Sequence, residues 1–376
     1  MKISLVESLA QVDREAWNSL VEPGDPFARH EFLHALEQSG SVGDQAGWKP
    51  CHILVHEDGV LQGAMPLYAK NHSYGEYIFD WAWAQASHQA QLPYYPKLVS
   101  AIPFTPATGR RLLLGDKSLS GEVAHTLVET LSDLARSDFS SLHMLFVPRE
   151  EQESLAKRPQ WIARLTHQYH WRNERYRDFQ DWLSCFRSRY RKEVRRERSR
   201  VEALGVEVTM RRGPDLEEAQ WQAIHDFYLD TLERKGAIPY LTPAFFRQLR
   251  EELAPLVVAF VAEAPEGVVA TTLCFQSGDR LYGRYWGCQP EYRALHFELC
   301  YHRPIETCIA EGWSLFEAGA QGPHKIRRGF LPHPTYSLHW IKHPGLAEAV
   351  VRATEQEREM QKAEMEFLTE RSPFKR

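Results

Sequence analysis

A short pattern that occurs twice constrains the fold more than any other feature of the sequence. The string Tyr-Gly-x-Tyr begins at Tyr74 and again at Tyr282, and a glycine, Gly59 or Gly267, lies 15 residues before each copy. The two copies of the string are therefore 208 residues apart, and so are the two glycines. Each segment predicts three strands joined by two turns, because glycine accepts the positive φ that tight hairpins need. We predict two related antiparallel meanders; two unrelated hairpins that look alike are the alternative.

The elements around each meander extend the likeness to whole lobes. Helix and strand periodicities predict the order β-α-α-β-β-β-α-β in both halves, a mixed α/β arrangement. At 376 residues the chain is also long for one ordinary core. We expect a first lobe over residues 1–175, a connecting segment over 176–205 and a second lobe over 206–376. An amphipathic helix at 345–370 is expected to cover the first lobe or a partner chain.

Apolar residues between the lobes, from Phe179 to Leu204, recur every three or four positions. This spacing predicts one long amphipathic helix that ends at Gly205. Its polar face carries two glutamates, Glu193 and Glu197, and many cations. The cations are Arg187, Arg189, Arg191, Lys192, Arg195, Arg196, Arg198 and Arg200. A solvated face with local ion pairs is one interpretation; a binding surface for tRNA, coenzyme A phosphates or a lipid-linked diphosphate is the other.

Charge and cysteine content limit the partners and the compartment. The net charge of −5 does not favour nucleic-acid binding by the whole surface, so no DNA partner is expected, whereas tRNA would need a local patch. Six cysteines without a C-x-x-C pair favour reduced thiols. The first residues lack the pattern of a signal peptide, and the longest apolar run is too short to span a bilayer. We expect a cytoplasmic protein; its oligomeric state stays open.

Several strings along nearly the whole chain, from about residue 26 to 374, carry a family resemblance. They include SYGEYIFDWAWA, GRYWGC, HFELCY and EAGAQGPHKIRRGFLP. They resemble the FemAB-like family, described as predicted N-acyltransferases of peptidoglycan biosynthesis or recognition. The lobe order is likewise similar to that of Gcn5-related N-acetyltransferases (GNAT). The resemblance implies an α/β fold with two tandem GNAT-like lobes joined by a long helix.

The resemblance also implies an N-acyltransferase. Such an enzyme moves an acyl or aminoacyl group from acyl-CoA or aminoacyl-tRNA to an amine, here of a small molecule or a peptidoglycan precursor. Either donor would be a co-substrate, so no tightly bound cofactor and no metal are expected. The usual GNAT phosphate loop, Q/R-x-x-G-x-G/A, is absent, because Arg293–Glu298 contains no glycine. The donor therefore stays open between these two classes.

The second lobe holds the expected donor site and catalytic groups. By resemblance, the donor lies where the strand LYGRYWGC leaves its neighbour and a helix begins. The donor-binding candidates are Tyr282, Arg284, Trp286, His296, Gln321 and Arg327, the last of which stands where the FKxGF string of FemAB-type transferases has lysine.

The catalytic candidates lie in and near a loop in which small residues precede a cluster of cations. They are Glu317, His324, Lys325, Arg328 and Glu298. Such a loop could bind a phosphate or carboxylate. His324 has the more suitable ordinary pKa for a general base and Glu317 the better position, so neither is preferred. A water chain could also remove the proton, and a solvated basic loop is the alternative without function.

The first lobe offers aromatic residues beside a proline-rich loop, a setting typical of binding surfaces. The acceptor-binding candidates are Tyr74, Glu76, Asp80, Trp81, Trp83, Tyr95, Lys97 and Thr105. An aromatic core layer is the alternative, and it applies most to the two tryptophans.

Two rival functions have sequence features in their favour. The string HEFLH, with His30, Glu31 and His34, satisfies the H-E-x-x-H pattern of zinc hydrolases. Glu37 stands where the metzincin extension requires glycine, which weakens this alternative. The second rival is a module that recognises cell-wall precursors with a GNAT fold but without turnover, and the missing phosphate-loop glycines favour it.

Overall fold

The computed structural model describes residues 1–319 and 322–375, which form two compact units. Unit 1 comprises Met1–His167 and Pro334–Glu364, and unit 2 comprises Gln168–His333 and the chain from Met365 onward. Both units contain helices and strands, as the predicted mixed α/β class requires.

Unit 1 begins with short strands and helices. In chain order its strands are β1 (Lys2–Val6), β2 (Trp48–Pro50), β3 (His52–Glu57), β4 (Val60–Met65), β5 (Tyr68–Lys70), β6 (Lys97–Ser100), β7 (Leu113–Leu114), β8 (Ser141–Val147) and β9 (Ile162–Arg172), whose last residues belong to unit 2. Its helices are α1 (Arg14–Leu20), α2 (His30–Gln38), α3 (Trp81–Gln89), α4 (Glu122–Asp138) and α5 (Arg149–Leu155). A sheet of order β1-β3-β4-β7 packs on α4 through a core that includes Ile53, Leu127 and Met144.

Unit 2 is built on a mostly antiparallel sheet. Its strands are β10 (Glu207–Arg212), β11 (Val257–Ala264), β12 (Gly267–Ser277), β13 (Arg280–Cys288) and β14 (Leu315–Glu317), and its helices are α6 (Phe179–Ser184), α7 (Ser188–Glu202), α8 (Glu218–Arg234), α9 (Pro243–Glu251) and α10 (Arg303–Ala310). The strand order is β10-β11-β12-β13-β14-β9, and only β13 and β14 in this set pair in parallel.

The last two elements, β15 (Leu331–Ile341) and α11 (Pro344–Glu370), explain why the units differ from the expected lobes. Residues 336–341 of β15 pair with β8, and Glu357 of α11 forms an ion pair with Arg164 at 2.7 Å. Residues 334–364 therefore belong to unit 1, while residues 176–205 belong to unit 2 instead of forming a connector. Among the described helices, none is apolar over a length that could cross a bilayer.

The two Tyr-Gly-x-Tyr strings have different structures, contrary to the prediction. In unit 2, β11, β12 and β13 form the predicted meander, and Tyr282 lies in β13. In unit 1, only the hairpin β3–β4 forms; Pro66 follows β4, and β5 pairs with β2 and β6 instead. Proline removes a ladder donor and commonly ends a strand. Tyr74 therefore lies in a loop, where Tyr77 has a positive φ of 61°.

The predicted single helix between the lobes is two helices, α6 and α7. The break coincides with pairing to the C-terminal segment: the Arg187 N–H donates to the Pro373 carbonyl at 2.8 Å, and Phe186 forms a bridge with Phe374. Most of the predicted apolar face is nevertheless buried, and this part includes Phe179, Trp182, Leu183, Phe186, Tyr190, Val194 and Val201; Leu204, at its end, is exposed. The periodicity identified the buried face correctly, whereas the break depends on a contact that is distant in sequence.

Candidate active site

The site is centred on the place where β13 and β14 stop pairing. Their parallel register covers three pairs and ends at Tyr282 and Glu317. The next residue of β13, Gly283, is closely packed, because an added Cβ would lie 3.3 Å from the Phe316 ring. Gly287 has a different reason: an added Cβ would lie 2.5 Å from the backbone oxygen of Phe227 in α8. Only the first of these glycines borders the end of the pairing.

A bulge in β13 changes which side chains share a face. The register with β12 shifts between Leu273 and Cys274, so that Arg284 is an extra residue in β13. Leu281, before the bulge, belongs to the core cluster of unit 2, and Trp286, after it, packs against the same cluster. Tyr282 and Trp286 therefore lie on opposite faces of β13, although simple alternation predicts the same face.

Lys325 has the most unusual surroundings in the site, because its amine is buried without a carboxylate partner in the described structure. The side chain is 2% exposed, in a 3₁₀ helix (Pro323–Arg328) that follows Gly322 and ends at Gly329, both with positive φ. Its Nζ donates to the Gly319 carbonyl at 2.8 Å. Burial lowers the pKa of this amine to about 7. Lys325 can therefore change charge near neutral pH.

Arg328 holds the same loop against α7. Its guanidinium forms a two-point ion pair with Glu197, donates to the His324 carbonyl at 2.9 Å and lies 3.3 Å from the centre of the Phe297 ring. His302 contacts the same carboxylate at 2.7 Å. Burial would raise the pKa of Glu197, but the hydrogen bond from His302 and the charge of Arg328 bring it below its ordinary value. All of these contacts hold the Arg328 guanidinium within the fold.

Glu298 also has internal partners. A 3₁₀ segment (Pro290–Leu295) precedes His296, and the helix that begins at His296 contains a π turn (Glu298–His302) before α10. π turns often occur at functional sites. The buried Glu298 carboxylate lies 3.0 Å from Arg198 of α7 and 3.6 Å from Arg303. These ion pairs orient the turn.

Aromatic and imidazole rings line the face of β13 that carries Trp286. The His296 ring lies 5.3 Å from Trp286 and 6.0 Å from His324, centre to centre. His324 Nε2 and the Tyr301 hydroxyl are 2.9 Å apart. Burial, followed by the electrostatic effect of the His324 ring, lowers the pKa of His296 to about 4, and partial burial lowers the pKa of His324. Both imidazoles are therefore neutral at pH 7.

Glu317 lies on the other face of the sheet. Its neighbour Phe316 enters the core of unit 2, whereas Glu317 Oε2 is 3.8 Å from Nε2 of His170 in β9. His170 was missed because no strand was predicted there. The alternation of Gln168 and His170 with the apolar Tyr169 and Trp171 was the available signal.

Comparisons with known proteins show the family and the fold of the chain. The sequence model of the FemAB-like family, described as peptidoglycan biosynthesis/recognition, matches residues 8–376. The chain belongs to the FemAB-like family. Solved structures with the same fold include FemX (12% identity, 93% of this chain and 100% of that chain, TM-score 0.56) and L-PGS from Bacillus licheniformis (12%, 89% and 98%, 0.52). No curated protein matches the sequence. The predicted resemblance and the fold class of two tandem GNAT-like lobes are confirmed.

The remaining donor candidates of this FemAB-like protein have varied positions. Arg284 is half-buried at the bulge, 5.7 Å from the centre of the Tyr285 ring. Arg327 is exposed and lies 3.7 Å from Glu193. Gln321 lies outside the described residues. The structure thus brings Trp286, His296, His324 and Lys325 into one region and leaves Arg327 at the surface.

In unit 1 of the FemAB-like protein, the charged acceptor candidates bind one another. Lys97 is fully buried, and its amine contacts Glu76 at 2.9 Å, Asp80 at 2.5 Å and the Ser73 hydroxyl at 2.8 Å. Lys70 contacts the second oxygen of Glu76 at 3.1 Å. These charges anchor the loop that contains Tyr-Gly-x-Tyr. Glu76, Asp80 and Lys97 therefore have structural partners and are not available to an acceptor as placed.

The aromatic acceptor candidates divide between core and surface. Trp83 is buried against His339, with ring centres 4.8 Å apart, and Thr105 is buried as well, so the core alternative holds for Trp83. Tyr95 is half-buried and contacts Ser73. Tyr74 and Trp81 are 68% and 41% exposed, and their ring centres are 5.0 Å apart. Among the aromatic acceptor candidates, this last pair is the one with exposed rings.

The H-E-x-x-H segment has contacts that explain its residues without a metal. His30 Nε2 contacts the Leu9 carbonyl at 2.9 Å, and Glu31 accepts hydrogen bonds from Asn18 and Arg29. Over residues 1–319 and 322–375, no group of three or more metal-ligating side chains has the geometry to hold an ion.

A row of cations follows the exposed face of α7. Its inner face is buried through Tyr190 and Val194, and Arg198 turns inward to Glu298 and Glu306. The exposed set, which we call the basic ridge, is Arg189, Lys192, Arg195, Arg196 and Arg200. No ion pair joins these five side chains to a carboxylate in the described structure. The local ion pairs expected of a solvated face are thus missing along the ridge.

Proposed function

We propose that this FemAB-like protein is an N-acyltransferase whose reaction takes place in unit 2. The observation that carries the proposal is the buried Lys325 amine beside the point where β13 and β14 stop pairing. The reaction joins the nitrogen of an acceptor amine to a donor carbonyl carbon, breaks the ester or thioester bond of the donor and releases one proton. Family membership supports a peptidoglycan precursor as the acceptor.

Lys325 is proposed to stabilise the negative charge that develops on the donor carbonyl oxygen. An ammonium in a dry site interacts strongly with an oxyanion, and the hydrogen bond to Gly319 keeps Nζ in place before the reaction. A developing negative charge also favours the protonated amine, which offsets the low pKa.

The basic ridge favours aminoacyl-tRNA over acyl-CoA as the donor. Like charges three and four residues apart, such as Lys192, Arg196 and Arg200, destabilise a helix by about 0.2–0.5 kcal/mol per pair. A row without acidic partners therefore has a cost that a polyanion would offset. The apolar inner face of α7 is packed in the core of unit 2, so this face is not available for insertion into a membrane interface.

Binding measurements test the donor. Aminoacylated tRNA is expected to bind, with an affinity that falls steeply with salt, whereas acetyl-CoA and longer acyl-CoAs bind weakly. Arg196→Glu with Arg200→Glu should weaken tRNA binding and lower the salt slope by about 2, since each lost phosphate contact contributes about 0.7–0.9. Arg149→Glu with Arg177→Glu, at exposed sites outside the α7 sequence, is the matched control. Equal effects of both pairs would remove the ridge from the proposal.

A recognition module without turnover is the second candidate. The observation in its favour is that Arg293–Glu298, where GNAT enzymes, by resemblance, have a glycine-rich phosphate loop, contains no glycine and leads from a 3₁₀ segment into the π turn. Transfer of a radiolabelled aminoacyl group to a peptidoglycan precursor, measured in a single turnover, separates the two. Binding of the precursor without any transfer would favour the module.

A further inference from the structure

His170 is a polar side chain buried without a hydrogen bond. It lies in β9, is 5% exposed, and neither ring nitrogen has a partner among residues 1–319 and 322–375. Glu317 is close, with 3.8 Å between Oε2 and Nε2, but this is too long for a hydrogen bond. Buried polar groups in native proteins are nearly always satisfied, so an exception needs an explanation. A ligand that hydrogen-bonds to His170 would provide one.

The position of His170 connects it with the reaction. Tyr282, Glu317 and His170 are neighbours in register across β13, β14 and β9, in the last row before β13 and β14 stop pairing. The His333 ring stacks on His170 with centres 4.5 Å apart, which fixes the plane of the imidazole. A group bound at His170 and Glu317 would thus lie at the end of β14. Gly319, whose carbonyl accepts the hydrogen bond from Lys325, follows shortly after this strand in the chain.

We propose that His170 and Glu317 bind the acceptor amine of the transfer reaction, with His170 as the group that receives its proton. This inference rests on the function proposed above. A primary amine suits the pair, because its N–H groups can donate to an unprotonated ring nitrogen and to the carboxylate at the same time.

The surrounding charges favour an uncharged, nucleophilic amine. The charged or titratable groups that act on His170 are Glu317 from β14, His333 from β15, Arg172 from β9, Arg280 from β13 and Lys325 from the 3₁₀ helix. Burial, followed by the cations of this set, holds the pKa of His170 well below its ordinary value. The same surroundings disfavour an ammonium ion at this place. An amine bound there would therefore keep the lone pair that attacks the donor.

The proton and electron balance of the step is complete without a further reagent. The lone pair of the amine forms the N–C bond, and the electrons of the breaking C–O or C–S bond leave with the tRNA or thiolate. The amine proton passes to a ring nitrogen of His170, where the carboxylate of Glu317 stabilises the imidazolium. It then passes to the leaving group or to water, which restores the neutral ring.

The test compares two buried histidines of unit 2. His170→Phe is expected to lower kcat/KM for a single-amine acceptor, N-α-acetyllysine, by about 100-fold, because general-base catalysis contributes 10²–10⁴-fold. Donor binding should stay within twofold. Glu317→Gln, which keeps the shape, should give a smaller loss and shift the pH profile. His225→Phe is the matched control, because His225 Nε2 is also buried without a partner, but in α8 beside Phe246.

A direct contact has its own readout. The ring nitrogen signals of His170 in ¹⁵N-histidine NMR should shift when N-α-acetyllysine is added, and those of His225 should not. If the wild type transfers, but His170→Phe matches His225→Phe in kinetics and the His170 signals of the wild type do not shift, the inference is wrong and the proposed function stands. If the wild type transfers to no amine, including a peptidoglycan precursor, the proposed function fails as well.

Discussion

Both units bury lysine side chains, and Lys97 of unit 1 and Lys325 of unit 2 have opposite surroundings. Lys97 in unit 1 is enclosed by Glu76, Asp80 and Ser73, all within hydrogen-bond distance. Lys325 in unit 2 has one recorded hydrogen-bond acceptor, the Gly319 carbonyl, and no described carboxylate at ion-pair distance. A buried charge needs compensation from its surroundings. The difference supports a structural role for Lys97 and the proposed role of Lys325 toward a charge that arrives with the substrate.

Unit 1 also shows what partial compensation does. Lys70 has one carboxylate partner, Glu76, and lies 3.4 Å from the centre of the Trp48 ring. Burial, only partly opposed by Glu76, still lowers the pKa of Lys70 to about 7. A low pKa alone therefore does not distinguish a lysine with a functional role from one with a structural role. What distinguishes Lys325 from Lys70 is its position at the end of the β13–β14 pairing.

Removing Lys97 should have the largest effect on stability. Lys97→Met leaves Glu76 and Asp80 buried without their shared cation, and breaking a buried ion pair costs about 3–5 kcal/mol. Chemical denaturation should show this loss in the free energy of unfolding. Lys157→Met, at an exposed site of unit 1, should change it by less than about 0.5 kcal/mol. A loss below about 1 kcal/mol for Lys97→Met would contradict the structural role.

Lys325→Met should show the reverse pattern, with activity lost and stability kept. Loss of one oxyanion donor lowers kcat by about 100- to 1000-fold. The folded pKa of about 7 lies below the ordinary 10.5, so the folded state binds fewer protons than the unfolded state between these values. The contribution of Lys325 to the free energy of unfolding therefore rises with pH in this window, by about 1.4 kcal/mol per unit.

Denaturation of both proteins at pH 7 and pH 9 checks this pattern. The free energy of unfolding of Lys325→Met should be at least as high as that of the wild type at pH 7, without the rise that Lys325 contributes. A variant that is strongly destabilised at pH 7 would mean that Lys325, like Lys97, serves the fold.

The pH dependence of turnover separates two roles for Lys325. If its ammonium stabilises the oxyanion, kcat should fall up to tenfold per pH unit above about pH 7, where the amine loses its charge. Lys325→Arg keeps a charge throughout this range, so the fall should be absent even if its kcat is lower. A wild-type kcat that instead rises through pH 7, with a flat profile for the arginine variant, would make Lys325 the base.

The sequence predicted the fold better than the site, and the reasons are local. The repeat around Tyr74 and Tyr282 led to two related lobes, because turn glycines and alternation are short-range signals. It failed at Tyr74 itself, since Pro66 ends β4 and the loop is held by Lys97, which is distant in sequence. The break at Phe186 likewise depends on its pairing with Phe374.

Within the site, one inserted residue and one missed strand account for most of the differences. The bulge at Arg284 reverses the alternation of β13 and separates Tyr282 from Trp286, and no pattern in the sequence marks it. His170 could be found only after β9 had been placed beside β14. Lys325 was a candidate for its charge, but its isolation from carboxylates is a property of the folded chain. Sequence reasoning thus found the loop and missed the groups packed around it.

The exposed pair in unit 1 should give the smallest effect and complete the comparison. If the buried charges around Lys97 serve to hold Tyr74 and Trp81 in place for an acceptor, Trp81→Ala should raise KM for a peptidoglycan precursor about tenfold, the value of one aromatic contact of about 1–1.5 kcal/mol. Its free energy of unfolding should change by less than about 0.5 kcal/mol, because the ring is partly exposed. Phe79→Ala, just before α3 and similarly exposed, is the control. Equal changes in KM for both variants would mean that general surface hydrophobicity, rather than the Tyr74–Trp81 pair, affects acceptor binding. The buried charges of unit 1 would then have a structural role only, and unit 1 would have no defined ligand contact.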